Sequence, residues 1–433
     1  MHFYLEPGGS LTGSIRVPGD KSMSHRSIML GSIAEGRTSV SGFLEGDDAL
    51  ATLSAFRAMG VRITDPEAGR LTIEGVGLRG LRAPEQVMDV GNSGTSIRLM
   101  VGLLSGQPFD SMITGDQSLL RRPMGRVITP LSQMGALIGS REGCPPLEVK
   151  GGRALEGIHY DLPVASAQVK SSVLLAGLYA RGRTSVTEPA PTRDHTERML
   201  NGFGYPVDTQ GGVISLEAGG ALTATDIDIP ADISSAAFFL VGASIAPGSD
   251  LTLEHVGVNP TRDGVIRILR AMGADIEIMN QRLVGGEPVA DLRVRHAPLH
   301  GIEIPVEEVP LAIDELPAVL IAAACAEGMT VLSGAEELRV KESDRIASMA
   351  EGLTQLGIEN TTRPDGIEVV GGEMTGGVIA THLDHRIAMS FSMAALRARD
   401  RIKVRDCAHV ATSFPGFSEL AVRCGLQLEV ADE

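Results

Sequence analysis

A chain of 433 residues is too long for one ordinary core, so two domains of about 200 residues each are expected. With 43% hydrophobic and 21% charged residues it is globular, not disordered. A formal net charge of 38 − 54 = −16 argues against nucleic acid or an anionic membrane surface as a partner, but leaves room for a local basic pocket.

The opening MHFYLEPGGS lacks the basic and apolar regions of a secretory leader, which sets the expectation of a cytoplasmic protein. The strand-like SLTGSIRV (10–17) precedes the first repeat and is spare, available to complete another part of the fold. One pattern then recurs six times. A polar loop leads into a helix rich in Ala, Ser and Gly, and a glycine and a strand follow, as in VPGDKSMSHRSIMLGSIAEGRTSV (17–40). An amphipathic helix then closes on a Met-Gly or similar pair, as in FRAMGVRI (56–63) and LRAMGADI (269–276). The closing glycines, Gly60, Gly135, Gly204, Gly273, Gly357 and Gly425, are separated by 75, 69, 69, 84 and 68 residues. A period near 70 exceeds the roughly 20–50 residues of solenoid repeats, so each unit reads as a small α/β module. Six modules divide as three plus three, with the link inside TDIDIPADISS near Asp228 to Asp232. Small side chains let backbones approach, so the small-residue helices belong at the centre and the Met-Gly helices outside. The predicted fold class is α/β: two pseudo-threefold domains with a cleft between them.

No apolar run nears the roughly 20 residues of a membrane span; AVLIAAACA (318–326) is about nine. Cys144, Cys325, Cys407 and Cys424 form no CxxC pair and have no His at metal spacing, so they read as reduced thiols.

The uncommon polar residues fall in loops that start the small-residue helices, where outward N–H groups and the positive dipole end favour anions. PGDKSMSHR (18–26) sets Lys21, Ser22 and Arg26 around one helix start. DVGNSGTSIR (89–98) is a glycine-flanked loop with Asn92, Ser93, Thr95 and Arg98, although not a GxxxxGK[ST] P-loop. SLLRRPMGR (118–126) carries Arg121, Arg122 and Arg126, ASAQVKSS (165–172) carries Ser166 and Gln168, and TRDHTER (192–198) carries Arg193. LAIDELP (311–317) puts Asp314 beside an apolar helix, where an unpaired carboxylate is costly, and LDHR (383–386) adds Asp384, His385 and Arg386. Each stretch alone reads equally as a capped helix start or a solvated charge run.

RVKESDRI (339–346) is the sharpest case. Ser343 and Asp344 suit a first helical turn, and the charges of Glu342 and Arg345, read as an exposed helix start, are worth only about 0.3–1 kcal/mol. Yet Lys341 and Arg345, four apart around Glu342, are spaced to face one anion beside a carboxylate. Recurrence at one point of repeated modules favours the ligand reading. Pseudo-symmetry would gather these loops on one face of each domain, converging about eight cations in an acidic protein.

The ordered set PGDKSMSHR, DVGNSGTSIR, RRPMGR, ASAQVKSS, TRDHTER, AIDELP, RVKESDR and LDHR, continuing to ATSFPGF (411–417), resembles the 5-enolpyruvylshikimate-3-phosphate synthase family over essentially the whole chain. GNSGTSIR and RVKESDR are the most specific segments. The resemblance implies two inverse α/β domains of three βαβαββ units each, spanning 19–229 and 1–18 plus 230–433. It implies chain crossovers near Val17–Asp20 and Ile229–Asp232 and an active site in the interdomain cleft. The implied reaction moves the carboxyvinyl group of phosphoenolpyruvate to the 5-hydroxyl of shikimate 3-phosphate and releases phosphate. It needs neither metal nor organic cofactor, and glyphosate competes with phosphoenolpyruvate. No coiled-coil pattern demands a partner, so a monomer is expected.

Carried over by motif, Lys21, Ser22 and Arg26 match the segment that binds shikimate 3-phosphate, Lys21 also reaching phosphoenolpyruvate. Asn92, Gly94, Thr95 and Arg122 fall at phosphoenolpyruvate positions. Ser166, Ala167, Gln168 and Arg193 match the shikimate phosphate site, with Gln168 shared. Asp314 matches the proton acceptor for the attacking hydroxyl, Lys341 and Glu342 flank the reacting centre, and Arg345 and Arg386 match clamps on phosphoenolpyruvate. The chain departs from the pattern at Thr412, where many members carry Lys, at Glu337, where a subset has Asn, and at Ala167, where another subset has Ser.

Two alternatives remain at this point. The related transferase acting on UDP-N-acetylglucosamine has a Cys in a mobile loop, and the corresponding TGDQSLLRRPMGR has none. A non-catalytic anion-binding repeat protein would not need Lys21, Asp314 and Glu342 together.

Overall fold

In the protein, a computed structural model describing residues 1–432, all six repeat glycines have φ between +78° and +121°. Each ends an outer helix: Asp47–Ala58, Gly125–Gln133, His195–Gly202, Gly264–Ala271, Arg345–Gln355 or Phe417–Cys424. The glycine N–H returns to a carbonyl three residues back, as from Gly60 to Arg57 and from Gly425 to Val422. The next N–H reaches back five residues, as from Val61 to Phe56 and from Leu426 to Ala421. This closure requires a left-handed residue, which explains why glycine marks every repeat. At Gly204 a methyl group would meet nothing within 4 Å, so only the backbone conformation resists it. Gly204→Ala is therefore expected to cost about 1 kcal/mol in urea unfolding. A cost near zero would mean that the turn accepts another closure.

Each repeat builds one small sheet. In the second, Met88–Asp89 pairs parallel with Ser111–Thr114, which pairs antiparallel with Cys144–Lys150, which pairs antiparallel with Leu137–Arg141. The third repeats this arrangement with His159–Asp161, Arg183–Thr187, Val213–Glu217 and Asp208–Gln210. The first borrows its parallel edge from Ile227–Asp228, and the fourth borrows Thr12–Ile15, the spare strand. In the fifth the parallel strand shrinks to a bridge between Glu303 and Val331. The sixth takes His2–Leu5 as an inner strand between Ile402–Val404 and Leu428–Ala431, a use of the N-terminus that the pattern had not suggested.

The chain separates into two compact units. One is Gly19–Ile229 with Val284–Gly286; the other is Met1–Pro18, Pro230–Leu283 and the chain from Glu287 onward. In the second, every residue of the central helices Ile233–Ile245 and Leu316–Ala324 is buried, as helices apolar on nearly every side require. In the first, Gly102 lets the helix Gly94–Ser105 lie against Ala167–Gly177, since a Cβ there would sit 2.1 Å from the Ser172 carbonyl oxygen. Ser172 Oγ also donates to the Arg98 carbonyl at 2.7 Å, locking that pair. No helix among the described residues is long and apolar enough to cross a membrane.

Candidate active site

Of the loops singled out in the sequence, PGDKSMSHR, DVGNSGTSIR, ASAQVKSS, LAIDELP and LDHR start central helices, whereas SLLRRPMGR, TRDHTER and RVKESDRI lead into outer ones, and several of these starts are capped. Asp20 accepts from the Met23 N–H at 2.8 Å, Ser93 from Ser96 at 3.1 Å and Ser166 from Val169 at 3.4 Å. Capping and ligand binding are therefore not exclusive readings: the cap residue settles the loop and its neighbours carry the charge.

In the first unit these neighbours form a connected group. Lys21, the first residue of the helix Lys21–Ile33, pairs with the buried Asp48. Gln168 accepts from Arg98 Nη1 at 2.9 Å and donates to Thr95 Oγ1 at 3.0 Å, joining two helix starts. An added methyl at Gly94 would lie 2.7 Å from Arg98 Nη1 and 3.1 Å from Arg122 Nη1. The missing side chain thus lets two guanidinium groups close over one helix N-terminus. Arg122, largely buried, also donates to Ser118 Oγ at 3.2 Å. Arg26 is buried and donates to Thr196 Oγ1 at 2.7 Å, Ser171 Oγ at 2.9 Å and the Ser22 carbonyl at 2.9 Å. Asn92 and Arg193 stand in loops before helix starts, and Ala167 begins its helix.

His25 was not anticipated. Burial, then the charges of Lys21 and Arg26, hold its imidazole well below the usual histidine range, so it is neutral. Its Nδ1 lies 2.8 Å from Thr52 Oγ1 and 3.3 Å from Ser96 Oγ, tying the Lys21 helix to the first turn of the Gly94 helix.

In the second unit Arg345 is the hub. Its side chain is 1% exposed and faces three carboxylates: Asp384 Oδ2 at 2.8 Å, Glu342 Oε2 at 2.6 Å and Asp314 Oδ1 at 3.2 Å. Lys341 Nζ lies 3.7 Å from Asp314 and 3.5 Å from Glu337, and Arg386 Nη1 donates to the Asp314 carbonyl at 2.9 Å. Burial disfavours charge on Arg345, but Asp384, Glu342 and Asp314 together hold it charged, well above its ordinary range. Burial likewise opposes charge on Asp384, yet Arg345 keeps its carboxyl below the usual range.

Two expectations need correction here. RVKESDRI is not a run of exposed cap charges: Asp344 caps the helix, accepting from Ala347 at 3.0 Å, while Arg345 is inside. Nor is this unit a one-sign cation cluster, because Lys341, Arg345 and Arg386 stand among Asp314, Glu337, Glu342 and Asp384. Asp384 appeared in LDHR as a lone acid; its value as the anchor of a residue 39 positions away has no signature in spacing. Thr412 is buried and turns its hydroxyl to the His409 carbonyl at 2.7 Å. Cys144 begins the strand Cys144–Lys150, outside the arginine loop. Among the described residues no cluster of three or more His, Cys, Asp or Glu could hold a metal ion.

The sequence profile of "EPSP synthase (3-phosphoshikimate 1-carboxyvinyltransferase)" matches residues 5–420. A 3-phosphoshikimate 1-carboxyvinyltransferase of Alkalilimnicola ehrlichii is 66% identical over 434 residues, covering 100% of this chain and 97% of that relative. One of Methylococcus capsulatus is 65% identical over 430 residues, covering 99% and 98%. A solved EPSP synthase of Acinetobacter baumannii superposes with a TM-score of 0.90 at 58% identity, each chain covered in full. The chain belongs to the EPSP synthase family, enzymes of the shikimate pathway.

Proposed function

We propose that the protein transfers the carboxyvinyl group of phosphoenolpyruvate to the 5-hydroxyl of shikimate 3-phosphate, releasing phosphate, as a cytoplasmic monomer without metal or organic cofactor. One observation carries the residue assignment: Asp314 and Glu342, the two carboxylates suited to proton transfer, are anchored on the same buried guanidinium, Arg345. A shared anchor fixes two proton-transfer groups relative to each other, as addition followed by elimination requires.

In this reading Lys21, Ser22, Arg26, Ser166, Ala167, Gln168, Arg193, Asp314 and Lys341 hold shikimate 3-phosphate. Asn92, Gly94, Thr95, Arg122, Arg345 and Arg386 serve phosphoenolpyruvate, with Lys21 and Gln168 shared. Two multiply charged anions must meet, and each like-charge contact at 4 Å costs about 4 kcal/mol at an effective dielectric near 20. Arg forks offset that cost bidentately, and Lys can also move a proton. Asp314 accepts the hydroxyl proton; Glu342 and Lys21 serve proton delivery to the methylene carbon and the departure of phosphate.

The deciding experiment is phosphate release with both substrates present and with each alone. Release only with both supports the reading; binding without release would make the protein a non-catalytic anion binder. Gly94 supplies a further check through glyphosate. A methyl there displaces the ends of Arg98 and Arg122, so Gly94→Ala is expected to weaken inhibition about tenfold or more, while the KM for shikimate 3-phosphate stays within about twofold. Equal losses for both ligands would mean that the loop serves the other substrate.

A further inference from the structure

Lys170 is the fourth residue of the helix Ala167–Gly177, and its side chain is only 1% exposed. Its ammonium lies 3.0 Å from Glu188 Oε2 and 2.7 Å from Glu197 Oε1, both carboxylates also buried. Glu188 follows the strand Arg183–Thr187, and Glu197 is in the first turn of the helix His195–Gly202. The two acids therefore bracket the loop 189–194 and the helix start that follows it, and one cation holds both. Thr192, inside the loop, donates its hydroxyl to the other oxygen of Glu188. Thr196, in the first turn of the helix that follows, donates to Ser171 Oγ at 2.7 Å and accepts from Arg26 Nε at 2.7 Å. Lys170 and Ser171, adjacent on one helix, thus fasten the loop by an ionic and a hydroxyl contact and join it to the Lys21 helix through Arg26.

A buried cation between two acids is a poor source of stability compared with packed apolar groups. What this arrangement does supply is a fixed loop. We propose that Lys170 is a positioning residue for shikimate 3-phosphate: by clamping Glu188 and Glu197 it holds the 189–194 loop so that Arg193 meets the phosphate of that substrate. The inference rests on the assignment of Arg193 made above. It also explains the lysine in ASAQVKSS, which none of the assigned roles uses.

The test compares steady-state kinetics of the wild type, Lys170→Met and Glu188→Gln for both substrates, with amide exchange across 189–194 in the ligand-free enzymes. The KM for shikimate 3-phosphate is expected to rise about tenfold in Lys170→Met and about threefold in Glu188→Gln, with the KM for phosphoenolpyruvate within about twofold. Amide exchange of the loop should rise in both variants. The proposal is overturned if the two KM values move together, or if the loop loosens and neither moves. Should Lys170→Met fail to fold, Glu188→Gln decides in the same way, because it leaves the Lys170–Glu197 pair in place. A wild type that releases no phosphate overturns the function and this inference together; an active wild type with unsplit KM values overturns this inference alone.

Discussion

Glu342→Gln is expected to lower turnover by about 10²–10⁴-fold while leaving the fold intact. The substitution keeps the shape and an acceptor oxygen toward Arg345 Nη2, but removes the group that can take and return a proton. Arg345 still faces Asp384 and Asp314, so its charge remains compensated and the stability cost should stay near 1 kcal/mol. The KM for shikimate 3-phosphate should change little, because Glu342 is assigned to chemistry and not to holding that substrate. Single-turnover measurements separate this from slow product release. A variant that kept wild-type turnover would move the proton-transfer role to Asp314 and Lys21 alone.

The repeat was legible in the sequence because its signals are local. A glycine that must be left-handed, a cap residue one step before a helix and a stripe of small residues each act within a few positions. Six recurrences made them readable, and each repeat glycine is left-handed where the pattern closes its helix. The partners of the site charges were not legible, because they are set by packing between elements separated in sequence. Arg345 meets Asp384 across 39 positions, Lys170 meets Glu188 across 18, and Arg26 meets Thr196 across 170. His25 in DKSMSHR read as one more polar residue of a loop, and only burial makes it a neutral link between two helices. The same limit governs the sixth sheet, where His2–Leu5 pairs with strands some 400 residues later, as Phe3 does with Val404 and Val430.

Arg345→Ala is the more damaging substitution, and its damage is expected to appear first in stability. As an exposed cap charge it would have been worth a fraction of a kcal/mol, but its side chain is buried against Asp384, which is fully enclosed. Removing the guanidinium leaves Asp384 with Ser343 Oγ at 3.1 Å and the Arg386 N–H at 2.9 Å to compensate a buried negative charge. Breaking a buried pair from one side costs about 3–5 kcal/mol, which lowers the melting temperature by about 10 °C in a unit of this size. The sign of the pH dependence identifies the cause. In the wild type the Asp384 carboxyl is held below its ordinary range, so its contribution is complete at neutral pH and is lost only as pH falls through that lowered value. Without Arg345, burial dominates and raises the carboxyl above its unfolded value, so the folded variant binds a proton that the unfolded chain does not. Acidification from about pH 7.5 to 5.5 should therefore narrow the gap in melting temperature between variant and wild type. Arg345→Met combined with Asp384→Asn, which removes both charges, should recover more than about 1 kcal/mol relative to Arg345→Ala and remain inactive. A variant that melts like the wild type at both pH values, or a gap that widens on acidification, would show that Arg345 is not the counter-charge on which Asp384 depends.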